Sequence, residues 1–209
     1  MIEGTPVKLH WSPRSPFVRK VMVAAHELGV ADGIETVRTV VAMTQPNLGL
    51  LPDNPLGKIP TLVLGDGTAI YDSLTICEYL DALHGPRLFP VAGPARWTAL
   101  TWHALGNGLL DLLVLWRNER DKPQERQTPE WLAGFALKTT ATLDRLQAMA
   151  PALEAAPFGI GHVAIGCALS YLDFRFAALG WRTGRPELAA WHAGFEARPS
   201  VRATQVADA

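Results

Sequence analysis

Three short segments carry residue types that could do chemistry. The first is Ser12-Pro13-Arg14-Ser15-Pro16-Phe17. Ser15 precedes a proline that opens a helical pattern, which makes Ser15 the natural N-cap and Pro16 the first helical residue. A hydroxyl there sits where free amides and the helix macrodipole favour negative charge. It can donate its O–H to an anion such as a thiolate while its oxygen accepts from the backbone. The second segment is Lys58-Ile59-Pro60-Thr61, between an irregular loop and a strand. A proline is tolerated at a strand start. A cis Ile59–Pro60 bond would turn the backbone groups of Ile59 aside, free to pair with an extended peptide. The third is Tyr71-Asp72-Ser73, where a helix begins. Its amides, the Ser73 hydroxyl and the helix N-terminus make a carboxylate site, and Asp72 suits an ammonium group beside it. Each segment also has a plainer reading, as a helix cap or an ordinary strand-start proline. Their order along the chain is what joins them.

The elements that must position these segments alternate. Val7, Leu9 and Trp11 recur at period two, as on a half-buried strand. From Ser15-Pro16, Val18, Val21, Ala25 and Leu28 share one helical face, and Gly29 closes it. A second strand lies within residues 34–41, completing a βαβ unit with parallel strands. Residues 42–58 are loop-like. Residues 61–64 and 68–71 flank Gly65-Asp66-Gly67 and read as a hairpin. A helix over residues 73–83 follows, with Leu74, Cys77 and Leu80 inward. Residues 84–94 hold Gly85, Pro86, Pro90, Gly93 and Pro94, the composition of a linker. Beyond it only helical patterns remain. The steps of three and four from Trp97 to Trp116 make one long helix. Thr128-Pro129-Glu130 opens another that reaches about Ala148, with Trp131, Phe135, Leu143 and Leu146 inward. An apolar helix follows over 162–179, then a short one over 187–197. The fold class is therefore two-domain, α+β followed by all-α: a βαβ–ββα domain over residues 1–84 and an all-helical bundle over residues 94–209.

Bulk properties exclude several function classes. The chain has 209 residues, 48% hydrophobic and 19% charged, enough for a real core in each domain. A formal net charge of -1 gives no electrostatic ground for a nucleic-acid or anionic-membrane partner. Cys77 and Cys167 both fall in segments that read as buried helix, as reduced core thiols. No CxxC or CxxH pair is present, so neither a dithiol redox motif nor a zinc or other metal site is expected. No basic segment leads into an apolar run, and no uninterrupted apolar stretch has the length of a membrane span. The expectation is a cytoplasmic protein without a signal peptide or transmembrane helix.

The layout of the three segments resembles the glutathione transferases. The fragments that carry the likeness are Ser-Pro-Arg-Ser-Pro-Phe-Val-Arg-Lys-Val, Asn-Pro-Leu-Gly-Lys-Ile-Pro-Thr-Leu and Tyr-Asp-Ser-Leu-Thr-Ile-Cys-Glu-Tyr-Leu. Past the linker, Ala-Ile-Gly-Cys-Ala-Leu-Ser-Tyr-Leu-Asp-Phe-Arg is similar to the buried sixth helix of that family, so the likeness spans nearly the whole chain. It looks closest to bacterial members with a serine before Pro-Phe.

The resemblance implies a thioredoxin-like N-terminal domain that holds glutathione, and a helical domain that holds a hydrophobic electrophile. It implies an enzyme with glutathione as co-substrate and no metal, acting as a homodimer. By the same likeness, Ile59 beside a cis Pro60 would pair with the cysteinyl part of glutathione. Asp72 and Ser73 would hold the γ-glutamyl end, and Lys58 the glycyl carboxylate. Ser15 would bond the sulfur and favour its thiolate, with Ser12 as the alternative in the same segment. Trp11, Trp102, Asn107 and Trp116 would form walls for the second substrate, or simply pack in the core. The competing class is a binding or regulatory module on the same fold, with little turnover. The chain departs from the family at Gly159-Ile160-Gly161-His162, where a Ser/Thr-x-x-Asp capping box is usual. Glycine is a modest cap and His162 is not the usual acid, so that helix start is expected to be softer by roughly 1 kcal/mol. A serine rather than a cysteine at position 15 argues against disulfide reduction.

Overall fold

The computed structural model describes residues 7–208. They form two units: residues up to Gly93 together with the segment from Pro199 onward, and Pro94–Arg198.

The first unit is built on a four-stranded mixed sheet in the order β2-β1-β3-β4, from β1 (Val7–Trp11), β2 (Ile34–Arg38), β3 (Thr61–Val63) and β4 (Ala69–Ile70). β1 is parallel to β2 and antiparallel to β3, which is antiparallel to β4. Helix α1 (Pro16–Leu28) buries the face formed by Val18, Val21, Ala25 and Leu28. It ends at Gly29, whose φ of 74° is a left-handed conformation that glycine adopts without steric cost. Helix α2 (Ser73–Leu83) turns Ile76, Cys77 and Leu80 inward, and Leu74 is only half-buried at the edge of that stripe. Both cysteines are buried and neither forms a disulfide.

The stretch after α2 is not a bare linker. The Asp81 carboxylate accepts the N–H groups of Arg87, Leu88 and Phe89 at 2.9, 2.8 and 3.1 Å. Leu88 and Phe89 are buried, so this part of the chain is anchored to the first unit. The tail also differs from the sequence reading, which leaves everything to residue 209 with the helical half. Helix α7 (Pro199–Arg202) packs on α1 instead. It buries Val201 fully and Ser200 nearly so, and the Ser200 hydroxyl donates to Glu27.

The second unit comprises α3 (Gly93–Arg120), α4 (Pro129–Ala155), α5 (Ile160–Phe176) and α6 (Pro186–Glu196). Thr128 occupies the N-cap of α4 without a side-chain cap bond, and its own N–H goes to Glu119 at 2.8 Å. Helix α5 is buried almost all round, as its uniformly apolar sequence requires. Residues Ile160–Leu179 have the length and composition of a membrane span, but two thirds of that stretch is inside this unit's core. α3 and α5 approach closely at glycines. A Cβ on Gly106 would lie 2.5 Å from the Ala164 carbonyl carbon and the Ile165 nitrogen, and one on Gly161 would lie 2.6 Å from the Trp102 Cβ. This contact sets the inward face of α3 as His103, Gly106, Leu109, Leu110, Leu113 and Trp116. Trp97 therefore lies outside it, 68% exposed, and Trp131 near the start of α4 is 58% exposed. Spacing alone places both of them inward.

Candidate functional site

The sheet register brings the three chemistry-bearing segments to one edge. β1 runs toward Trp11 and hands over to Ser12–Ser15. His10 pairs with Thr61, so antiparallel β3 begins, and Pro60 precedes it, at the end where β1 finishes. Leu62 pairs with Ile70, so β4 runs back to the same end and delivers Tyr71, Asp72 and Ser73 there. Trp11 pairs with Arg38 across the parallel β1–β2 ladder, which adds the end of β2. Helices α1 and α2 both start at this edge, with their free amides and positive dipole ends.

Ser15 is the N-cap of α1, and its Oγ accepts the Val18 N–H at 3.2 Å. It is half-buried, and its own O–H remains able to donate. Ser12 is buried. Its Oγ accepts from Arg38 Nη1 at 2.8 Å and more distantly from the Arg14 N–H at 3.4 Å. The Ser15 N–H closes the turn onto the Ser12 carbonyl at 3.2 Å.

The Ile59–Pro60 peptide is cis. Buried Asn54 organises the loop before it. Its Nδ2 donates to the Lys58 carbonyl at 3.1 Å and to Thr61 Oγ1 at 2.9 Å, and its Oδ1 accepts the Leu56 N–H at 3.0 Å. Thr61 in turn donates to the Lys58 carbonyl at 2.9 Å. Lys58 itself is exposed, while Ile59 and Pro60 are buried. Asp72 is the N-cap of α2, with Oδ1 accepting the Leu74 and Thr75 N–H groups at 3.0 and 3.4 Å. Asp72 is exposed and Ser73 is 2% exposed.

Comparisons with known proteins bear on this arrangement. The model of the glutathione S-transferase N-terminal domain matches residues 14–83, and that of the C-terminal domain matches residues 129–194. The uncharacterized GST-like protein YibF of Escherichia coli (strain K12) is 30% identical over 185 residues, 87% of this chain and 90% of that protein. The chain belongs to the glutathione S-transferase family. Its fold is shared by a glutathione transferase family member from Pseudomonas fluorescens Pf-5 crystallised with bound glutathione. That protein is 42% identical with a TM-score of 0.93, covering 96% of this chain and 99% of the other. A glutathione S-transferase from Methylobacillus flagellatus KT with GSH bound is 32% identical with a TM-score of 0.86, covering 96% and 100%. The fold class expected from the sequence is thus the family's own.

In this family member the residues named as walls have different settings. Trp11 is half-buried at the end of β1, with the Arg38 guanidinium 6.0 Å from its ring centroid. In the helical unit, Trp102 is half-buried and edge-on to His162 at 5.5 Å. Asn107 is half-buried and donates to Asp111 at 3.1 Å. Trp116 is 8% exposed and packs against Phe176 at 5.0 Å and Phe135 at 6.5 Å. Among the described residues no cluster of His, Cys, Asp or Glu could hold a metal ion.

Sequence reasoning missed Arg38 and Asn54. Arg38 could have been found from the parallel register, which sets it opposite Trp11. Asn54 precedes a proline in a loop that must end in a defined conformation, and an asparagine there commonly bonds its own turn. The α5 start also differs from expectation. His162 Nδ1 accepts the Gly159 N–H at 3.1 Å, the bond an acidic residue would make, while Nε2 pairs with the Leu153 carbonyl at 2.9 Å. Burial holds the His162 pKa below its ordinary value, which keeps Nδ1 unprotonated and accepting.

Proposed function

We propose that this protein is an active glutathione transferase, in which the edge of the first unit binds glutathione and activates its thiol. Three segments converging on one edge, with two helices starting there, carry this reading. Glutathione needs three kinds of partner: a site for its γ-glutamyl ammonium and carboxylate, a backbone to pair with its cysteinyl peptide, and a donor for its sulfur. Asp72, Ser73 and the α2 amides suit the first. Ile59 suits the second, and Lys58 suits the glycyl carboxylate. The Ser15 hydroxyl at the start of α1 suits the third.

The nucleophile is then the sulfur of the co-substrate and not a side chain. A free thiol of this kind has a pKa of roughly 8.5, and a hydrogen bond together with a helix N-terminus lowers it toward neutrality. Each unit lowered is about 1.4 kcal/mol of preference for the thiolate. Holding that thiolate against a hydrophobic electrophile supplies the remaining catalysis through proximity. Ser15 is assigned this role over Ser12 because Ser15 is the more accessible and caps the helix. Ser12 is buried and accepts from Arg38. Trp11, Trp102 and Asn107 are offered as contacts for the electrophile, and Trp116 as a packing residue.

Titrating the ultraviolet absorbance of the thiolate in bound glutathione tests the assignment. Ser15→Ala is expected to raise the thiol pKa by about 1 to 2 units, and Ser12→Ala, which loses the Arg38 brace of the loop, to raise it by clearly less. The reverse pattern would transfer the role to Ser12. An unperturbed thiol in the wild-type complex would reject thiol activation by this site.

A further inference from the structure

The loop that carries both serines is held from two sides. On the inner side, Arg38 fixes Ser12 and the Ser12–Ser15 turn closes on itself. On the outer side stands the tail of the chain. After α7, residues 203–208 run to the loop. The Ala207 N–H donates to the Pro13 carbonyl at 3.3 Å. Arg14 Nη2 donates to the Asp208 carbonyl at 2.8 Å, and Arg14 Nε lies 3.6 Å from the Asp208 carboxylate. The tail is itself anchored. Val201 is fully buried, Arg19 Nη2 reaches the Val201 carbonyl at 3.4 Å, and the Ser200 hydroxyl bonds Glu27 near the end of α1. The tail thus grips α1 near one end, through Glu27, and the loop before α1 at the other.

We infer that residues 199–208 form a strap that positions the thiol-activating loop, with Arg14 as a positioning residue that acts through Asp208. The inference rests on the glutathione transferase reading of that loop. A hydroxyl aimed at a thiolate must be placed to a fraction of an ångström, because small misplacements cost rate. A helix starting with Ser15 and Pro16 fixes only the C-terminal side of the loop. Pro13 lacks an N–H and cannot brace the loop from within, but its carbonyl is the atom the tail takes. An exposed ion pair alone is weak. Here it is joined by the Ala207-to-Pro13 backbone hydrogen bond and the Arg14 side-chain bond to the Asp208 carbonyl, on consecutive residues, and by a buried anchor that brings the tail into place.

The test uses the full chain, Arg14→Ala, Arg14→Lys, a variant ending at Val206, and the Arg14→Ala change combined with that truncation. Hydrogen exchange at the Ser12, Arg14 and Ser15 amides reads the loop without any ligand. It is expected to quicken about threefold or more in Arg14→Ala and in the truncation. Glutathione affinity should fall by about threefold, and the pKa of the bound thiol should rise, with Arg14→Lys recovering part of both. The combined variant should be no worse than the truncation alone, since the truncation already removes every contact that Arg14→Ala breaks. Exchange, affinity and thiol pKa unchanged from wild type would overturn the strap, as would fully additive effects. If the wild-type chain fails to bind glutathione, the functional reading falls, and hydrogen exchange still decides whether the strap holds the loop.

Discussion

In the first unit, α1 and α2 begin with accessible side chains, the half-buried Ser15 and the exposed Asp72, each receiving backbone amides of its own helix. In the second unit, α5 begins inside the core. Its N-cap is glycine, which has no side-chain acceptor, and the N–H of that glycine goes to His162, 4% exposed and locked between Gly159 and Leu153. The same physical problem, free amides at a helix start, is solved in opposite ways. Open caps leave the positive end of the helix available to an anion from outside. A closed cap uses it within the fold. The comparison separates residues whose loss should harm binding from those whose loss should harm folding.

The largest effect should come from the closed start. His162→Ala removes the acceptor for Gly159, orphans the Leu153 carbonyl and opens space beside Trp102 and Trp191. A loss of about 3 kcal/mol in urea unfolding is expected, with glutathione affinity unchanged. Acid should act on the same residue. Its folded-state pKa is lowered, so below the ordinary value of about 6.5 the unfolded chain binds the proton that the folded chain refuses. The stability it contributes is complete above that pH and is lost as pH falls toward the folded-state pKa. Unfolding measured at about pH 7.5 and about pH 5.5 should show a smaller drop in His162→Gln than in wild type. An equal drop in both would remove His162 from the account.

Gly106→Ala comes next, because its Cβ would meet backbone atoms of α5 that cannot move aside cheaply. Its expected cost is about 2 kcal/mol of stability, again without a change in affinity. The open starts should behave differently. Asp72→Asn keeps a good N-cap and should alter stability by only about 0.3 kcal/mol, yet weaken glutathione binding by roughly tenfold through the lost charge. Asp72→Ala should show the same loss of binding plus about 1 kcal/mol of helix stability. An Asp72→Asn variant that binds normally would reduce Asp72 to a cap and blur the comparison.

Most of the first unit was legible in the sequence because its signals are local. Ser15-Pro16, Gly29, the Gly65-Asp66-Gly67 turn and Asp72-Ser73 each announce a helix or strand boundary within a few residues. The convergence of the three segments followed only from their order, and the register made it concrete. Interactions distant in sequence were not legible. Nothing local marks Asp81 as the acceptor for three amides beyond its helix, Arg38 as the partner of Ser12, or the tail as the neighbour of Pro13. In the helical unit, steps of three and four identified helices but not their orientation. Trp97 and Trp131 fit the pattern and are still exposed; for Trp97 the close approach at Gly106 and Gly161 sets which side of α3 is covered. His162 was visible as a departure from a capping acid. That it performs the acid's task depends on a ring orientation fixed by Leu153, nine residues upstream.

The most direct test of the central claim is calorimetry of glutathione binding to the wild-type chain and to Asp72→Asn, each checked for unchanged unfolding. Micromolar-to-millimolar binding by the wild type, weakened in a variant of equal stability, is the predicted result. Absence of binding by the wild type, or equal binding by both chains, would contradict the assignment of this edge as the glutathione site.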